Sequence, residues 1–349
     1  MRIGVPREIK ANEYRVGLTP AAVAELVHHG HQALVETGAG AAIDFADEQY
    51  VEAGAGIALT AAQVFERADM IVKVKEPQPA EVGRLRKGQV LFTYLHLAPV
   101  PELARALMQT GASAVAYETV TDANGGLPLL APMSEVAGRM SIQAAAHALE
   151  MEQGGRGLLL CGTAGVASAH VVILGGGVVG TNAARMALGL EARVTVIEAR
   201  LDRLHQIDQM FGANLDVVFS TRRTIEEYVR EADVVIGAVL VDVAIDQGGC
   251  FETSRPTTHA NPTYVEEGVV HYCVANMPGA VARTSTLALN NATLPFVLQL
   301  GDHGLGEAMR RNPHLRAGLN VHAARITHPA VAAAIGAPFE PPEVALGIA

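Results

Sequence analysis

Three basic side chains stand where the chain could bind and protonate a small acid. Lys75 and His96 each come at the end of a short apolar run typical of a β-strand, and Arg15 lies between the first such run and the first helix. A lysine can hold a carboxylate or polarise a carbonyl, a histidine can exchange a proton near neutral pH, and an arginine can bind a carboxylate through two hydrogen bonds. On spacing alone a simpler alternative stays open. A single lysine or arginine is usually a solvated charge, and a single histidine, in a chain with 13 of them, is more often structural.

A glycine-rich turn predicts a second kind of site. Gly175, Gly177 and Gly180 form a G-x-G-x-x-G pattern directly after the apolar run 170–174 and before the helix-forming residues 181–187. The first glycine allows a tight turn, the second lets the backbone approach a pyrophosphate, and the third lets the helix pack close to the strand. The alternative is a glycine turn that binds no ligand. The order of strand, turn and helix favours a dinucleotide site, with the pyrophosphate on the helix amides.

An acidic residue follows at the position where such a site usually needs one. Glu198 ends the next predicted strand, 194–197. A carboxylate there accepts hydrogen bonds from the adenosine ribose and repels a 2′-phosphate, which favours NAD over NADP. Arg200 and Arg203 lie close by in the sequence and weaken this preference for NAD.

The elements that would position these residues alternate between strand and helix patterns. A helix is expected from Thr19 and Pro20 to Gly30, and a longer one, capped by Ser134 and ending near residue 150, is expected to connect two domains. Predicted strands cover 2–5, 32–36, 70–75, 90–95, 170–174, 194–197, 217–219 and 234–243.

This alternation predicts an α/β protein with two Rossmann-like domains and parallel sheets. The expected division is a discontinuous substrate (catalytic) domain, 1–130 plus 305–349, and an NAD-binding Rossmann domain, 131–304.

Composition narrows the class of protein. The net charge of −10 and the lack of a Lys/Arg-rich run argue against a nucleic-acid partner. Three widely spaced cysteines indicate a reducing compartment, and charges at Arg7 and Glu8 argue against a signal peptide, so we expect a cytoplasmic protein. Residues 157–184 lack charged side chains, but their glycines and polar residues favour strand, turn and helix over a membrane span.

The chain resembles alanine dehydrogenases, whose fold is shared by the α subunit of nicotinamide nucleotide transhydrogenase. The resemblance covers nearly the whole chain. It rests on the stretches 4–8, 13–16, 72–77, 94–98, 132–138, 175–180, 242–249 and 276–280.

The resemblance implies the reversible conversion of L-alanine, NAD⁺ and water into pyruvate, ammonia and NADH by a homo-oligomer, a hexamer. It assigns Arg15 and Lys75 to the substrate carboxylate and carbonyl, and His96 and Asp246 to proton transfers. From its spacing alone, Asp246 could instead be a helix cap or a turn-forming residue. The residues implied at the NAD site are Ser134, Val178, Val179, Glu198, Arg203, Ser220, Val239, Leu240, Arg255, Val274, Ala275, Asn276 and Met277, and Asn276 would also face the substrate.

Two departures from the family concern single residues. Glu198 stands where an aspartate is more usual, which is compatible with NAD. Gln299 replaces an acid of a magnesium site near His303, so no metal is predicted.

The largest departure is a missing crossover. Residues 232–241 look like a strand and its loop, and 242–246 look like the end of the next strand. Adjacent parallel strands need a connection of about a dozen residues or more. The run 234–245 could form one long strand but not two parallel ones. We therefore expect a lost strand or an irregular segment, with lowered stability and a poorly placed Asp246.

Three functions remain open on these observations. The first is a catalytic alanine dehydrogenase, and the second is a catalytically impaired relative that still binds NAD. The third is a related amino-acid dehydrogenase, such as one for glycine and glyoxylate. A transhydrogenase α subunit is less favoured because the chain has no membrane segment.

Overall fold

Two mostly parallel sheets organise the chain, one in each of two units. The computed structural model describes residues 1–237, 241–242, 252–266 and 268–348. One unit comprises Met1–Pro132 and Ala282–Ala349, and the other comprises Met133–Val281. The predicted α/β class with parallel sheets is confirmed.

The second boundary between the units differs from the expected one at 304/305. The helix Ala282–Arg311 lies with the first unit from its start. Asn290 accepts a hydrogen bond from the Thr19 amide at 2.7 Å and donates one to the Gly17 carbonyl at 3.0 Å. These buried polar contacts bind the helix to the segment that follows the first strand.

The strands extend over short, largely apolar runs. They are β1 (Arg2–Val5), β2 (Gln32–Glu36), β3 (Gly56–Ala58), β4 (Met70–Val72), β5 (Val90–Thr93), β6 (Ser113–Ala116), β7 (His170–Leu174), β8 (Arg193–Glu198), β9 (Asp216–Phe219), β10 (Val234–Gly237), β11 (Val241–Asp242), β12 (Thr263–Glu266), β13 (Val269–Tyr272), β14 (Leu319–His322) and β15 (Arg325–Ile326).

The helices alternate with these strands. They are α1 (Pro20–His28), α2 (Asp47–Glu52), α3 (Ala61–Arg67), α4 (Pro79–Val82), α5 (Pro101–Thr110), α6 (Ala131–Ala148), α7 (Val178–Gly189), α8 (Leu201–Phe211), α9 (Arg222–Glu231), α10 (Ala282–Arg311), α11 (Pro313–Ala317), α12 (Pro329–Ile335) and α13 (Pro342–Ala345).

One of the two expected helix caps is present and the other is not. Thr19 caps α1 by accepting from the Ala22 amide at 3.2 Å, and Pro20 is the first helical residue, as expected. The expectation that Ser134 caps α6 was wrong, because the helix begins at Ala131. Pro132 fits a first helical turn, where its missing N–H costs nothing, so the helix starts before the serine.

The sheet of the first unit places three chain segments at one edge. Its order is β15-β14-β6-β5-β4-β1-β2-β3, and β1 to β6 run parallel. The strand order reverses at β1, which pairs with both β2 and β4. Ligands of such sheets bind at the carboxyl ends beside this reversal. The chain segments after β1, β4 and β5 therefore share the expected ligand edge.

The sheet of the second unit repeats this arrangement. Its order is β12-β13-β11-β10-β7-β8-β9, and all its neighbours pair in parallel except β12 with β13. The strand β7, the glycine turn and α7 account for most of the uncharged run 157–184. Among the described helices, none is long and apolar enough to cross a membrane.

The missing crossover leaves a short strand in this sheet. β10 and β11 pair in parallel, with Ile236 opposite Val241. The expectation that this run could not supply two parallel strands was therefore wrong, and the described part of the second strand is Val241–Asp242. Only three positions separate the strands, where a parallel connection normally takes a dozen or more. These three positions, 238–240, include Val239 and Leu240 and lie outside the described residues. Asp246, further along the chain, also lies outside them.

Candidate functional site

Lys75 is a buried cation without a protein partner in the described part of the chain. It follows β4 and is 8% exposed. Its ammonium group makes no hydrogen bond or ion pair with any described residue. Burial lowers the pKa of Lys75, and the positive charges of Arg15 and Lys10 lower it further. An unpaired cation in this setting is suited to bind an anionic ligand.

Arg15 lies near Lys75 and is held by a neighbouring acid. Its side chain is 2% exposed, its Nε donates to Glu13 Oε1 at 2.6 Å, and its backbone amide donates to the same oxygen at 3.1 Å. Burial raises the pKa of Glu13, but the hydrogen bonds and charge of Arg15 outweigh it and lower that pKa. Glu13 therefore stays ionised and fixes the plane of the guanidinium group.

His96 occupies a strained turn at the end of β5. Its φ of 47° is unusual for a residue other than glycine. Glu118 stabilises the turn, because its carboxylate accepts from the His96 amide at 2.6 Å and from the Leu95 amide at 3.2 Å. The exposed imidazole stacks on the Tyr94 ring, with centroids 5.9 Å apart and an angle of 6° between the planes. The tyrosine hydroxyl donates to the Leu129 carbonyl at 2.5 Å, which fixes the ring beneath the histidine.

These contacts bring three of the predicted residues to one edge of the first sheet. Arg15, Lys75 and His96 follow β1, β4 and β5, which are neighbours in the order β5-β4-β1. Two cations at the same edge as an imidazole can bind a carboxylate and transfer a proton next to it. The pattern did not identify Glu13 and Glu118 as supporting residues. Glu13 could have been found from its position two residues before Arg15. Glu118 is 22 residues from His96, and nothing in the sequence pointed to it.

The glycine turn of the second unit has the geometry of a phosphate cradle. Gly175 has a φ of 93°, which favours glycine. A Cβ added at Gly180 would lie 1.9 Å from the Gly175 carbonyl oxygen, so this glycine permits the close packing of α7 on the turn. A Cβ added at Gly177 would meet nothing within 4 Å. The backbone at Gly177 is therefore open to a ligand at the start of α7, where unpaired helix amides favour anions.

Glu198 and Arg203 shape this turn from the neighbouring strand and helix. Glu198 Oε2 accepts from the Gly176 amide at 2.7 Å, and Oε1 accepts from the Arg200 amide at 2.9 Å. Partial burial raises the pKa of Glu198, but these backbone donors outweigh it and lower that pKa. Arg203 donates to the Gly176 carbonyl at 2.6 Å and to the Thr181 hydroxyl at 2.7 Å. Arg203 is therefore bound to the turn itself.

Several other predicted cofactor residues lie near this turn or at the same sheet edge. Ser134 is on α6, one turn before Gly138, where an added Cβ would lie 2.2 Å from the Val179 carbonyl oxygen. The helix α6 thus packs closely on the start of α7. Val178 is the first residue of α7 and is 45% exposed. Ser220 follows β9, and its amide donates to the Glu198 carbonyl at 3.0 Å.

The last predicted group follows β13, whose carboxyl end lies at this edge because β13 is parallel to β11. Val274 and Met277 are buried, and Ala275 and Asn276 are half-buried. Asn276 has a φ of 70° and accepts a hydrogen bond at its carbonyl from His259 at 3.0 Å. Arg255 is exposed, with its guanidinium 4.1 Å from the centre of the Tyr264 ring.

Comparison with family models covers almost the whole chain. The alanine dehydrogenase/PNT N-terminal domain matches residues 4–137. The C-terminal domain of the same family matches in two segments, 141–241 and 237–329. The two segments overlap where β10 and β11 meet without a crossover.

Similar proteins were found among curated sequences and solved structures. Alanine dehydrogenase of Halomonas elongata is 55% identical, with 96% of this chain and 97% of the relative covered. That of Bacillus subtilis is 51% identical, with 99% and 98% covered, over 371 positions against the 349 residues here. A solved L-alanine dehydrogenase matches with a TM-score of 0.93 at 50% identity, covering 96% of this chain and 99% of that one. A transhydrogenase from Sinorhizobium meliloti shares the fold, with a TM-score of 0.78 at 22% identity and 95% and 100% covered.

Proposed function

The chain belongs to the alanine dehydrogenase/PNT family, and from that premise we propose that it oxidises L-alanine to pyruvate and ammonia with NAD, reversibly. The observation that carries the proposal is the buried ammonium of Lys75, which has no hydrogen-bond or ion-pair partner among the described residues, close to the fixed guanidinium of Arg15. Together they offer two positive charges to one small acid at the carboxyl edge of the sheet.

The proposed roles follow from the chemistry of each group. Arg15, in its fixed plane, binds the substrate carboxylate, and Lys75 binds the carboxylate or polarises the 2-oxo group. His96 accepts and returns protons after hydride loss has turned the amine into an imine: water adds to the imine to give a carbinolamine, which releases ammonia to give the ketone. Asp246 shares those transfers by family resemblance, and Asn276 faces the substrate on the same ground. A nicotinamide cofactor bound at the glycine turn would supply the hydride acceptor for this oxidation.

Catalysis is tested with the purified chain. L-Alanine with NAD should give NADH absorbance, at a higher kcat/KM than glycine or serine. A chain that binds NAD but forms no NADH with any of the three would be the impaired relative. The connection of only three positions between β10 and β11 is the observation that favours this second candidate. A higher kcat/KM with glycine would indicate a glycine/glyoxylate enzyme.

The family implies a nicotinamide cofactor, and we infer NAD from Glu198. Replacing Glu198 with glutamine should reduce the preference for NAD over NADP by about tenfold or more, because a carboxylate repels a 2′-phosphate and an amide does not. The measurement is the ratio of kcat/KM for the two cofactors. The control is Asp202→Asn, which removes an exposed acid paired with Arg200. An unchanged ratio in the Glu198 variant would contradict this role.

The glycine turn gives a test that separates binding from folding. Gly177→Ala should leave the unfolding midpoint within about 2 °C, because the added methyl has open space and the residue's φ is −67°. The same variant should weaken NAD binding about tenfold or more, since the methyl would occupy the path of the pyrophosphate.

Gly180→Ala is the matched comparison. Its methyl would overlap the Gly175 carbonyl, so it should lower stability by about 1–3 kcal/mol as well as NAD affinity. Calorimetry with NAD and thermal unfolding without it measure the two quantities. Undiminished NAD affinity in Gly177→Ala would overturn the proposed cradle.

We also propose a homo-oligomer, a hexamer by family resemblance, in the cytoplasm. Exposed apolar side chains on the second unit support association; they include Met151, Leu159, Val166 and Val265. Light scattering at several protein concentrations would measure the assembly.

A further inference from the structure

Glu8 is a buried acid that contacts the segment carrying Lys75. It is 8% exposed. Its Oε1 accepts from the Val74 amide at 2.7 Å and from the Lys75 amide at 3.4 Å. Its Oε2 accepts from Lys73 Nζ at 3.0 Å. One side chain thus contacts three consecutive residues beyond the end of β4.

The position of Glu8 in the sheet explains these contacts. β1 pairs with β4 through Gly4 and Ile71, and the chain then leaves the sheet at Pro6. On the other side of β4, Thr93 and Tyr94 donate to the carbonyls of Lys75 and Val74 at 2.9 and 3.2 Å. The amides on the β1 side have no strand left to bind. Glu8 supplies the acceptor that β1 no longer provides.

A buried ion cluster fixes the carboxylate of Glu8. Lys73 is 0% exposed and bonds both Glu8 and Glu81, the latter at 2.8 Å. Glu81 also accepts from the Gln78 amide at 2.8 Å at the start of α4. Burial raises the pKa of Glu8, although Lys73 and the Val74 amide oppose the shift. The cluster holds the carboxylate in place, and the carboxylate holds the backbone.

We propose that Glu8 is a positioning residue for substrate recognition: it holds residues 73–75 so that the Lys75 ammonium meets the substrate acid. This inference rests on the proposed function of Lys75. It assigns to Glu8 a task separate from pairing with Lys73. The task needs a hydrogen-bond acceptor rather than a charge, and this distinction can be tested.

The experiment compares Glu8→Gln with Glu8→Leu in a background that carries Lys73→Met and Glu81→Gln. The background removes the other charges of the cluster, so neither variant leaves an ion buried alone. Glutamine keeps an oxygen for the two amides and leucine does not. We expect kcat/KM for pyruvate to be about 10–100-fold lower in the leucine variant. Hydrogen exchange at the Val74 and Lys75 amides should be about tenfold faster there.

Thermal unfolding shows whether both proteins are folded. Should the leucine variant not fold, Glu8→Asp in the unchanged chain keeps the charge and shortens the reach by one methylene, with the same expected effects. Equal kcat/KM in the glutamine and leucine variants would overturn the proposal, whether or not exchange differs. If the unchanged chain has no alanine activity, the proposed function fails. Equal amide exchange in the glutamine and leucine variants would separately refute the inference that Glu8 holds residues 73–75 in place.

Discussion

Replacing Lys75 with methionine is expected to lower kcat/KM for L-alanine by about 10²–10³-fold. Methionine has a similar length and shape but no charge, so the change removes one interaction with the substrate. In the folded protein the ammonium is largely desolvated and has no partner among the described residues. The substrate would supply that partner. Absorbance of NADH in both reaction directions measures the loss.

Lys75→Met should not lower the stability of the protein, although it lowers the activity. This difference distinguishes a binding role of Lys75 from a structural one. Burial and two nearby cations lower the pKa of Lys75, so its charged form is less favourable in the folded chain than in the unfolded chain. Removing the charge should therefore leave the unfolding midpoint unchanged or raise it. A functional site often carries such a cost to stability.

The control is Lys87→Met, which removes an exposed lysine of the same unit. It should keep kcat/KM within about twofold of the unchanged chain. A Lys75 variant that retains more than about a tenth of the activity would show that Lys75 does not hold the substrate in the reaction.

Restoring a crossover between β10 and β11 is the second change with a large expected effect. The missing segment would be taken from the Bacillus subtilis relative and inserted before Val241. We expect kcat to rise about 100-fold, because a correctly placed acid/base group contributes about 10²–10⁴ and Asp246 follows this junction. A longer β11 should also add sheet hydrogen bonds, and each 1 kcal/mol gained raises the unfolding midpoint by about 2–4 °C.

The control for length is a glycine–serine insertion of the same size at the same point. It relieves the short connection but supplies neither a helix nor strand residues. If the two insertions gave equal kcat, relief of the connection would explain any gain. If the unchanged chain already turned over as fast as the restored one, the inference that the deletion impairs catalysis would be wrong.

Local patterns predicted the parts of this protein that local interactions determine. The apolar run His170–Leu174 and the glycines after it predict a strand, a turn and a helix, because each residue acts on its own backbone. The same holds for Thr19 and Pro20 at the start of α1. The cations were found because residues at strand ends meet along one edge of a parallel sheet.

Contacts between distant segments were beyond such reasoning. Glu118 binds the His96 amide, and Asn290 binds Gly17 and Thr19 across more than 270 positions. No periodicity marks either contact, so the turn at His96 and the boundary at Ala282 could not be predicted. The expectation about β10 and β11 was wrong for a different reason, because the two strands do pair in parallel. The rule on crossover length is a statement about ordinary connections, and this chain departs from it.

The return of α10 to the first unit has a consequence for synthesis on the ribosome. The second unit, Met133–Val281, is continuous in sequence, so all of it has been made before α10 begins. The first unit stays incomplete until Asn290 has been made, which happens only after the whole second unit. Gly17 and Thr19, which Asn290 contacts, were made long before. At about 5–20 residues per second, this wait lasts about 10–60 s. During that interval the segment that leads from Arg15 to α1 lacks its hydrogen bonds with Asn290 of α10.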